Sequence, residues 1–327
     1  MQNSRPRSGK TEPTLSVAEF QRLADGWVLD SKLRQLSDRT VGTRRDITGR
    51  FLWFLNYRQF PSCGTLEIKQ FIGYVATGHK EPGGRWNNPR LTNPMRPRCV
   101  KDFHNVLNTF WRWAVDEGYI DESPMEFIKP PIARADQIRP FSEGQISTLL
   151  NAAHSSKYPE RDTAILLFML DTGVRSSELC NLAFKDLDVV GKRAWVRGKG
   201  DKHRAVYFGR VSGKALWQYL RQASREATDP VFLTERKAAF SPNALGLLFD
   251  RLGNAAQVEA TRCSPHTMRH TFAVTFLRAG GNVFSLQQLL GHTELKMTQR
   301  YVALAQSDVE NQHRLFSPAD AMKGGRK

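Results

Sequence analysis

The stretch 123–140 holds Pro124, Pro130 and Pro131 ahead of its last proline, Pro140, and it decides how the rest of the chain can fold. Proline lacks the N–H that helices and sheets use, and its ring drives the preceding residue out of the helical region. Residues 123–139 therefore read as a linker between two separately folding halves. With 327 residues, 40% apolar and 24% charged, each half has material for a core of its own.

Charge narrows the partners. Lys and Arg number 48 against 32 acids, a formal charge of +16. Residues 1–136 carry 21 basic and 15 acidic side chains, and residues 137–327 carry 27 and 17, so both halves are basic. A charge of that size calls for a polyanion, with nucleic acid first in line. The longest apolar run, 164–170, falls far short of the roughly 20 residues a bilayer demands. No basic amphipathic anchor is evident, and the polar, basic start shows no signal peptide. Cys63, Cys99, Cys180 and Cys263 are scattered without C-x-x-C spacing, so neither a disulfide framework nor a zinc site is expected, and a cytoplasmic location is the simple reading.

Upstream of the linker the apolar spacing is helical. Residues 1–13 carry Arg5, Arg7 and Lys10 and read as a flexible basic arm, and 14–122 as one helical domain. Ser16 is placed to cap a helix containing Phe20, Leu23 and Trp27. A second helix, about 38–57, shows Ile47, Phe51 and Leu55 on one face, with Arg44, Arg45 and Arg50 elsewhere on it. A third covers about 66–77. The fourth, about 98–117, lines up Val100, Phe103, Leu107, Phe110 and Ala114 and ends at Gly118. These stripes predict the core of a small bundle, Trp111 and Trp113 included. Residues 78–97, rich in Gly, Pro and Asn, hold Lys80, Arg85, Arg90 and Arg96 against one acid, Glu81. Loops of that length are usually functional or disordered, and a solvated loop and a nucleic-acid contact both fit.

Downstream, 140–318 reads as a mixed domain, with 319–327 as a basic tail. Ser142 caps a new helix, a buried helix follows around 161–170, and short runs at 187–190, 194–197 and 205–208 predict a three-stranded antiparallel sheet. Helices return at about 213–225, 242–256, 266–278, 283–290 and 296–303.

This half carries groups suited to a phosphodiester. Cleaving one needs a nucleophile, cations on the non-bridging oxygens, and groups that move protons at the attacking and leaving oxygens. Gly173 permits a tight turn that sets Arg175 at the start of a helix, where a guanidinium can fork onto two phosphate oxygens. Glu178, three residues on, either orients Arg175 or caps the helix. Lys199 sits between Gly198 and Gly200 at a hairpin tip, as a proton donor or as an ordinary solvated turn. From Lys192 to Arg210 there are seven basic residues and one acid, so Lys202, His203 and Arg204 are phosphate contacts or solvated positions. His266 and Arg269, three apart, share a helix face, while His270 points elsewhere and reads as structural. No further pair of ligands stands at metal-binding spacing. His292 and Tyr301 complete the set. A single tyrosine is ordinarily a packing residue with a wet hydroxyl.

In this order and spacing, Arg175, Lys199, His266, Arg269, His292 and Tyr301 resemble the tyrosine recombinases, also called the phage integrase family, whose pattern is Arg, Lys, His-x-x-Arg, His or Trp, then Tyr. The surroundings are similar too: Thr172-Gly173-Val174-Arg175 followed by Glu178-Leu179, the Gly-Lys-Gly tip, Leu289-Leu290-Gly291-His292, and a tyrosine nine residues later. The likeness is strong over 140–305 and looser before it. It implies a mainly α fold with a small antiparallel sheet, arranged as a two-domain C-shaped clamp: a SAM-like helical core-binding domain and an α+β catalytic domain.

It also implies roles. Tyr301 would attack the scissile phosphate to give a 3′-phosphotyrosine and a free 5′-hydroxyl. Arg175 and Arg269 would clamp the non-bridging oxygens, Lys199 would protonate the leaving oxygen, His266 would assist proton transfer at the tyrosine, and His292 would bond the phosphate. No ATP, metal or other cofactor is implied. The partners implied are double-stranded DNA carrying core sites and further copies of the chain in a synaptic tetramer. Candidate DNA contacts are Arg44, Arg45, Arg85, Arg90, Lys202 and Arg204. Since 1–13 is too short for a separate arm-binding domain, a recombinase of core sites alone is expected. A type IB topoisomerase-like enzyme and an inactive DNA-binding relative are the alternatives.

Overall fold

The computed structural model places a capped helix where Ser16 stands. The Glu19 N–H donates to Ser16 Oγ and the Ser16 N–H donates to the Glu19 carboxylate, so two otherwise unpaired donors of the first turn are satisfied together. The structure describes residues 13–80, 83–133, 137–198, 203–305, 313 and 317–319. Residues 1–12 of the 1–13 arm and 320–327 of the 319–327 tail lie outside them. The chain divides into two units, Met1–Asp136 and Gln137–Lys327.

In the first unit, helices α1 (Val17–Leu33), α2 (Asp38–Tyr57), α3 (Thr65–Ala76) and α4 (Pro97–Asp116) bury the apolar stripes read from the sequence. Phe20 meets Phe51 and Phe110 edge-on at 5.1 and 5.0 Å between ring centres. Each fully buried side chain of this kind contributes roughly 1.5–3 kcal/mol. Gly118, at φ +74°, follows α4 as expected. A two-residue ladder, β1 (Leu15–Ser16) against β2 (Ser62–Cys63), ties the start of α1 to the α2–α3 connection. It is too short for any sequence pattern to announce.

The described part of the 78–97 segment is mostly exposed but is anchored at Arg85 and Trp86. Arg85 is 3% exposed, and its Nη2 donates to the carbonyls of Thr77 and Asn93, tying the two sides of the loop together. Trp86 meets Trp53 edge-on at 5.4 Å and carries the loop onto the helices. The expectation that Arg85 contacts DNA is corrected: its side chain is buried, with Nη2 held by the loop's own carbonyls. Arg44 is likewise engaged, 4.2 Å over the Trp27 ring with Nη1 donating to Ser31 Oγ. Arg45 and Arg90 remain exposed.

In the second unit, α5 (Glu143–His154) begins at the Ser142 cap, and α6 (Pro159–Thr172) runs through the core. The short helix α7 (Ser176–Cys180) follows, with Arg175 at its start as the Gly173 turn predicts. Strands β3 (Leu187–Asp188), β4 (Arg193–Arg197) and β5 (His203–Tyr207) form the expected antiparallel sheet in that order, with Arg197 opposite His203. Helices α8 (Arg210–Leu220), α9 (Pro242–Ala255), α10 (Pro265–Arg278), α11 (Val283–Leu290) and α12 (Leu295–Ala305) complete the unit. No described helix is long and apolar enough to cross a membrane.

Arg85→Ala is expected to destabilise the protein by about 2–3 kcal/mol, because it strips charged donors from two carbonyls. Arg90→Ala is expected to change stability by less than about 0.5 kcal/mol. Urea unfolding of the two variants checks the contrast.

Candidate active site

The site is built where three backbone turns converge. Helix α6 ends at Gly173, whose φ of +59° is left-handed. A Cβ there would lie 2.2 Å from Phe272 Cδ1 and 3.0 Å from Leu290 Cδ2, so only glycine lets this turn press against α10 and α11. Arg175 then stands at the N-terminus of α7, and α11 ends at Gly291, also left-handed at φ +62°.

The last carbonyls of α11 have no partners within the helix, and three arginines from three elements supply them. Arg204 Nε, from β5, donates to Leu289 O at 2.8 Å. Arg269 Nη2, from α10, donates to Leu290 O at 2.7 Å, and its Nη1 donates to Gly173 O at 2.6 Å. Arg175 Nη2 donates to Gly291 O at 3.0 Å. The negative end of the helix dipole adds to the attraction.

Glu178 is the counter-ion. It is 1% exposed and takes a two-pronged bond from Arg204, Nη1 to Oε1 at 2.6 Å and Nη2 to Oε2 at 2.8 Å. Arg175 adds Nη1 to Oε1 at 2.7 Å and its own N–H to Oε2 at 2.8 Å. Glu178 thus both caps α7 and orients Arg175. Burial alone would raise a carboxyl, but the Arg204 pair and the Arg175 donors outweigh it and hold Glu178 at about 2. Arg204, expected as a DNA contact, is corrected to an internal strut.

Arg269 is 2% exposed and also donates from Nη2 to His292 Nε2 at 3.1 Å. A guanidinium can only donate, so Nε2 is the acceptor, and the ring proton sits on Nδ1, facing Thr298 Oγ1 at 2.9 Å. Burial, followed by Arg269, Arg175 and Arg204, lowers His292 to about 4, so it is neutral at pH 7. Its ring stacks beside Tyr301, with centres 6.3 Å apart.

Tyr301, on α12, is 4% exposed and packs with Phe272, Val274, Leu286 and Leu290. Its hydroxyl lies 2.8 Å from His270 Nδ1. Burial raises the phenol above its ordinary value, with Arg269, Arg300 and Arg175 pulling the other way. His270 was set aside as structural, and the structure brings it to the tyrosine instead. It lies one helical turn after His266, a spacing that signals a shared face. His266 is exposed, and its ring stands edge-on to His270 at 4.3 Å. Burial, then Arg269, Arg300 and Arg175, lowers His266 as well. Lys199 and Lys202 lie outside the described residues, between β4 and β5 in sequence. Among the described residues no His, Cys, Asp or Glu group is arranged to hold a metal ion.

At neutral pH the three arginines and Glu178 leave a net charge of +2 beside uncharged histidines and a phenol. Such a site is complementary to the charge that accumulates on a phosphoryl group under attack. The depressed Glu178 value also fixes a pH dependence. Its contribution to stability, about 3 kcal/mol, is complete above the unfolded value of 4.5 and is lost as pH falls toward 2. Glu178→Gln is therefore expected to be less stable than wild type at pH 7, with the gap closing between about pH 5 and 2 in urea melts.

Residues 140–308 match the phage integrase family. Tyrosine recombinase XerD of Ralstonia nicotianae is 28% identical over 316 residues, covering 94% of this chain and 96% of the relative. Tyrosine recombinase XerC of Pelobacter propionicus is 33% identical over 201 residues, 60% of this chain and 65% of the relative. Among solved structures, the Tn1549 transposon integrase in complex with transposon right end DNA aligns with a TM-score of 0.68 at 19% identity, covering 93% of this chain and 100% of that one, a likeness of fold. With the family match spanning more than half of the sequence, the chain belongs to the phage integrase family, the tyrosine recombinases.

Proposed function

We propose that this recombinase breaks and rejoins double-stranded DNA at specific sites through a 3′-phosphotyrosine on Tyr301. The observation that carries the reading is the gathering of Arg175, Arg269 and His292 on the end of α11, with the His292 ring against Tyr301. Arg175 is half-open to solvent while fixed by Glu178 and Gly291 O, so a phosphate can meet a guanidinium that is already oriented. Arg269 Nη1, bonded once to Gly173 O, keeps a second hydrogen for a non-bridging oxygen. Lys199 serves as the donor to the leaving 5′-oxygen, and His266, exposed beside them, is free to meet the phosphate.

In the same reading, residues 14–122 form a core-binding domain, with Arg45 and Arg90 among its backbone contacts, and Lys202 reaches DNA from the hairpin. Arg44, Arg85 and Arg204 are not assigned that work. The charge of +16 supports a polyanionic partner. Strand exchange requires two duplexes and so several copies of the chain, a tetramer on synapsed DNA acting in the cytoplasm. The covalent link conserves the energy of the broken bond, and no cofactor is called for.

Incubating the purified protein with sheared host DNA and sequencing what is trapped covalently supplies the site, from which a duplex nicked beside the cleavage position is built. Wild type is expected to accumulate a covalent adduct on that duplex, Tyr301→Phe none, and Arg175→Ala an adduct at least about 100-fold more slowly. Absence of an adduct with wild type, or its presence with Tyr301→Phe, overturns the reading. Joining of two marked duplexes marks a recombinase, whereas relaxation of supercoils without joining marks a topoisomerase-like enzyme.

A further inference from the structure

We infer that His270 is the base that takes the phenolic proton of Tyr301 when the tyrosine attacks DNA. The inference rests on Tyr301 being the nucleophile, as proposed above, and moves to His270 the proton transfer that the family resemblance assigns to His266.

Geometry carries it. The Tyr301 hydroxyl is 2.8 Å from His270 Nδ1, within the range for direct proton transfer. The tyrosine is 4% exposed, so bulk water is a poor competitor for the proton. His270 is fixed from below by its place in the middle of α10, between Arg269, which anchors that helix to Gly173 and Leu290, and Thr271, which donates to Thr267 O. His266 is an exposed residue whose ring stands edge-on to His270, 4.3 Å between ring centres. His292 is excluded by its bonding: its Nε2 accepts from Arg269 and its Nδ1 faces Thr298.

For the phenol to donate, Nδ1 must be bare and the ring proton must sit on Nε2. The surroundings of the ring favour the neutral imidazole, which has one bare nitrogen. Burial comes first, then His266, Arg300, Arg269 and His292, and together they lower His270 to about 4. The resting pair is thus a neutral imidazole and a neutral phenol. The proton moves only as the new bond forms, because an oxygen bonding to phosphorus becomes strongly acidic. An arriving phosphodiester also brings a negative charge that offsets Arg175 and Arg269 and makes His270 more basic.

The step balances. Tyr301 Oη bonds to phosphorus, its proton passes to His270 Nδ1, the bond from phosphorus to the 5′-oxygen breaks, and that oxygen takes a proton from Lys199. On rejoining, a 5′-hydroxyl attacks the phosphotyrosine and returns its proton to Lys199, while the His270 imidazolium protonates the departing Tyr301 oxygen. No proton is gained or lost over the cycle.

The test uses the full chain and the nicked duplex described above. His270→Asn places an amide near the Nδ1 position, where it can still bond the hydroxyl but cannot take its proton. Adduct formation by His270→Asn is expected to slow by at least about 100-fold, with DNA binding in a gel-shift assay unchanged. His270→Ala is expected to be equally slow and to recover on adding free imidazole, with the rescue growing as pH rises and more imidazole is unprotonated. That comparison uses one variant with and without added base, so any lost stability cancels. On a duplex whose scissile 5′-oxygen is replaced by sulfur, which departs without protonation, His270→Asn stays slow. Near wild-type rates for His270→Asn, failure of imidazole to restore His270→Ala, or recovery on the sulfur substrate each overturn the assignment. A wild type that forms no adduct, or a Tyr301→Phe variant that does, defeats the nucleophile reading instead.

Discussion

Three guanidinium groups within one site repel each other, and the molecule is organised around making that arrangement stable. The solution is the carbonyl end of α11, where Leu289, Leu290 and Gly291 each accept from a different arginine, with the Glu178 carboxylate locked between two of them. A buried cation without partners costs several kcal/mol, whereas one with fixed acceptors is stable and already oriented. The acceptors here are mostly backbone, so they cannot swing away. The turn at Gly173 and the cap at Gly291 bring α6, α10 and α11 close enough for the carbonyls to be shared.

Much of this was legible in the sequence. Helix starts at Ser16 and Ser142 and the tight turn at Gly173 follow from local chemistry, which a chain carries wherever it is read. The order of Arg175, His266, Arg269, His292 and Tyr301 pointed to one site because few other functions need those groups together.

What escaped was partnership across distance. Arg204 is 26 residues from Glu178 in sequence, and nothing local says that its charge faces inward. Arg85 sits in a basic, Gly- and Pro-rich run that looks like surface, yet it closes the loop on two carbonyls. An arginine's periodicity tells which face it leaves from and not where a long, flexible side chain ends. Thr298, with its hydroxyl on the proton-bearing side of His292, is equally silent in sequence. His270 was misread for a different reason: on a helix that is buried along most of its length, a histidine facing the core and one facing a nucleophile have the same spacing.

The burial of Tyr301 has a consequence for how such a protein can change. Its ring belongs to the apolar cluster with Phe272, Leu286 and Leu290, and only the hydroxyl reaches a polar partner. Architecture and reactivity therefore reside in different atoms of one side chain. A phenylalanine at this position would keep the packing, the arginines and the basic surface, and on the proposed mechanism it would give a folded decoy that competes for the same DNA without cutting it. On that mechanism one oxygen would separate the strand transferase from its own inhibitor.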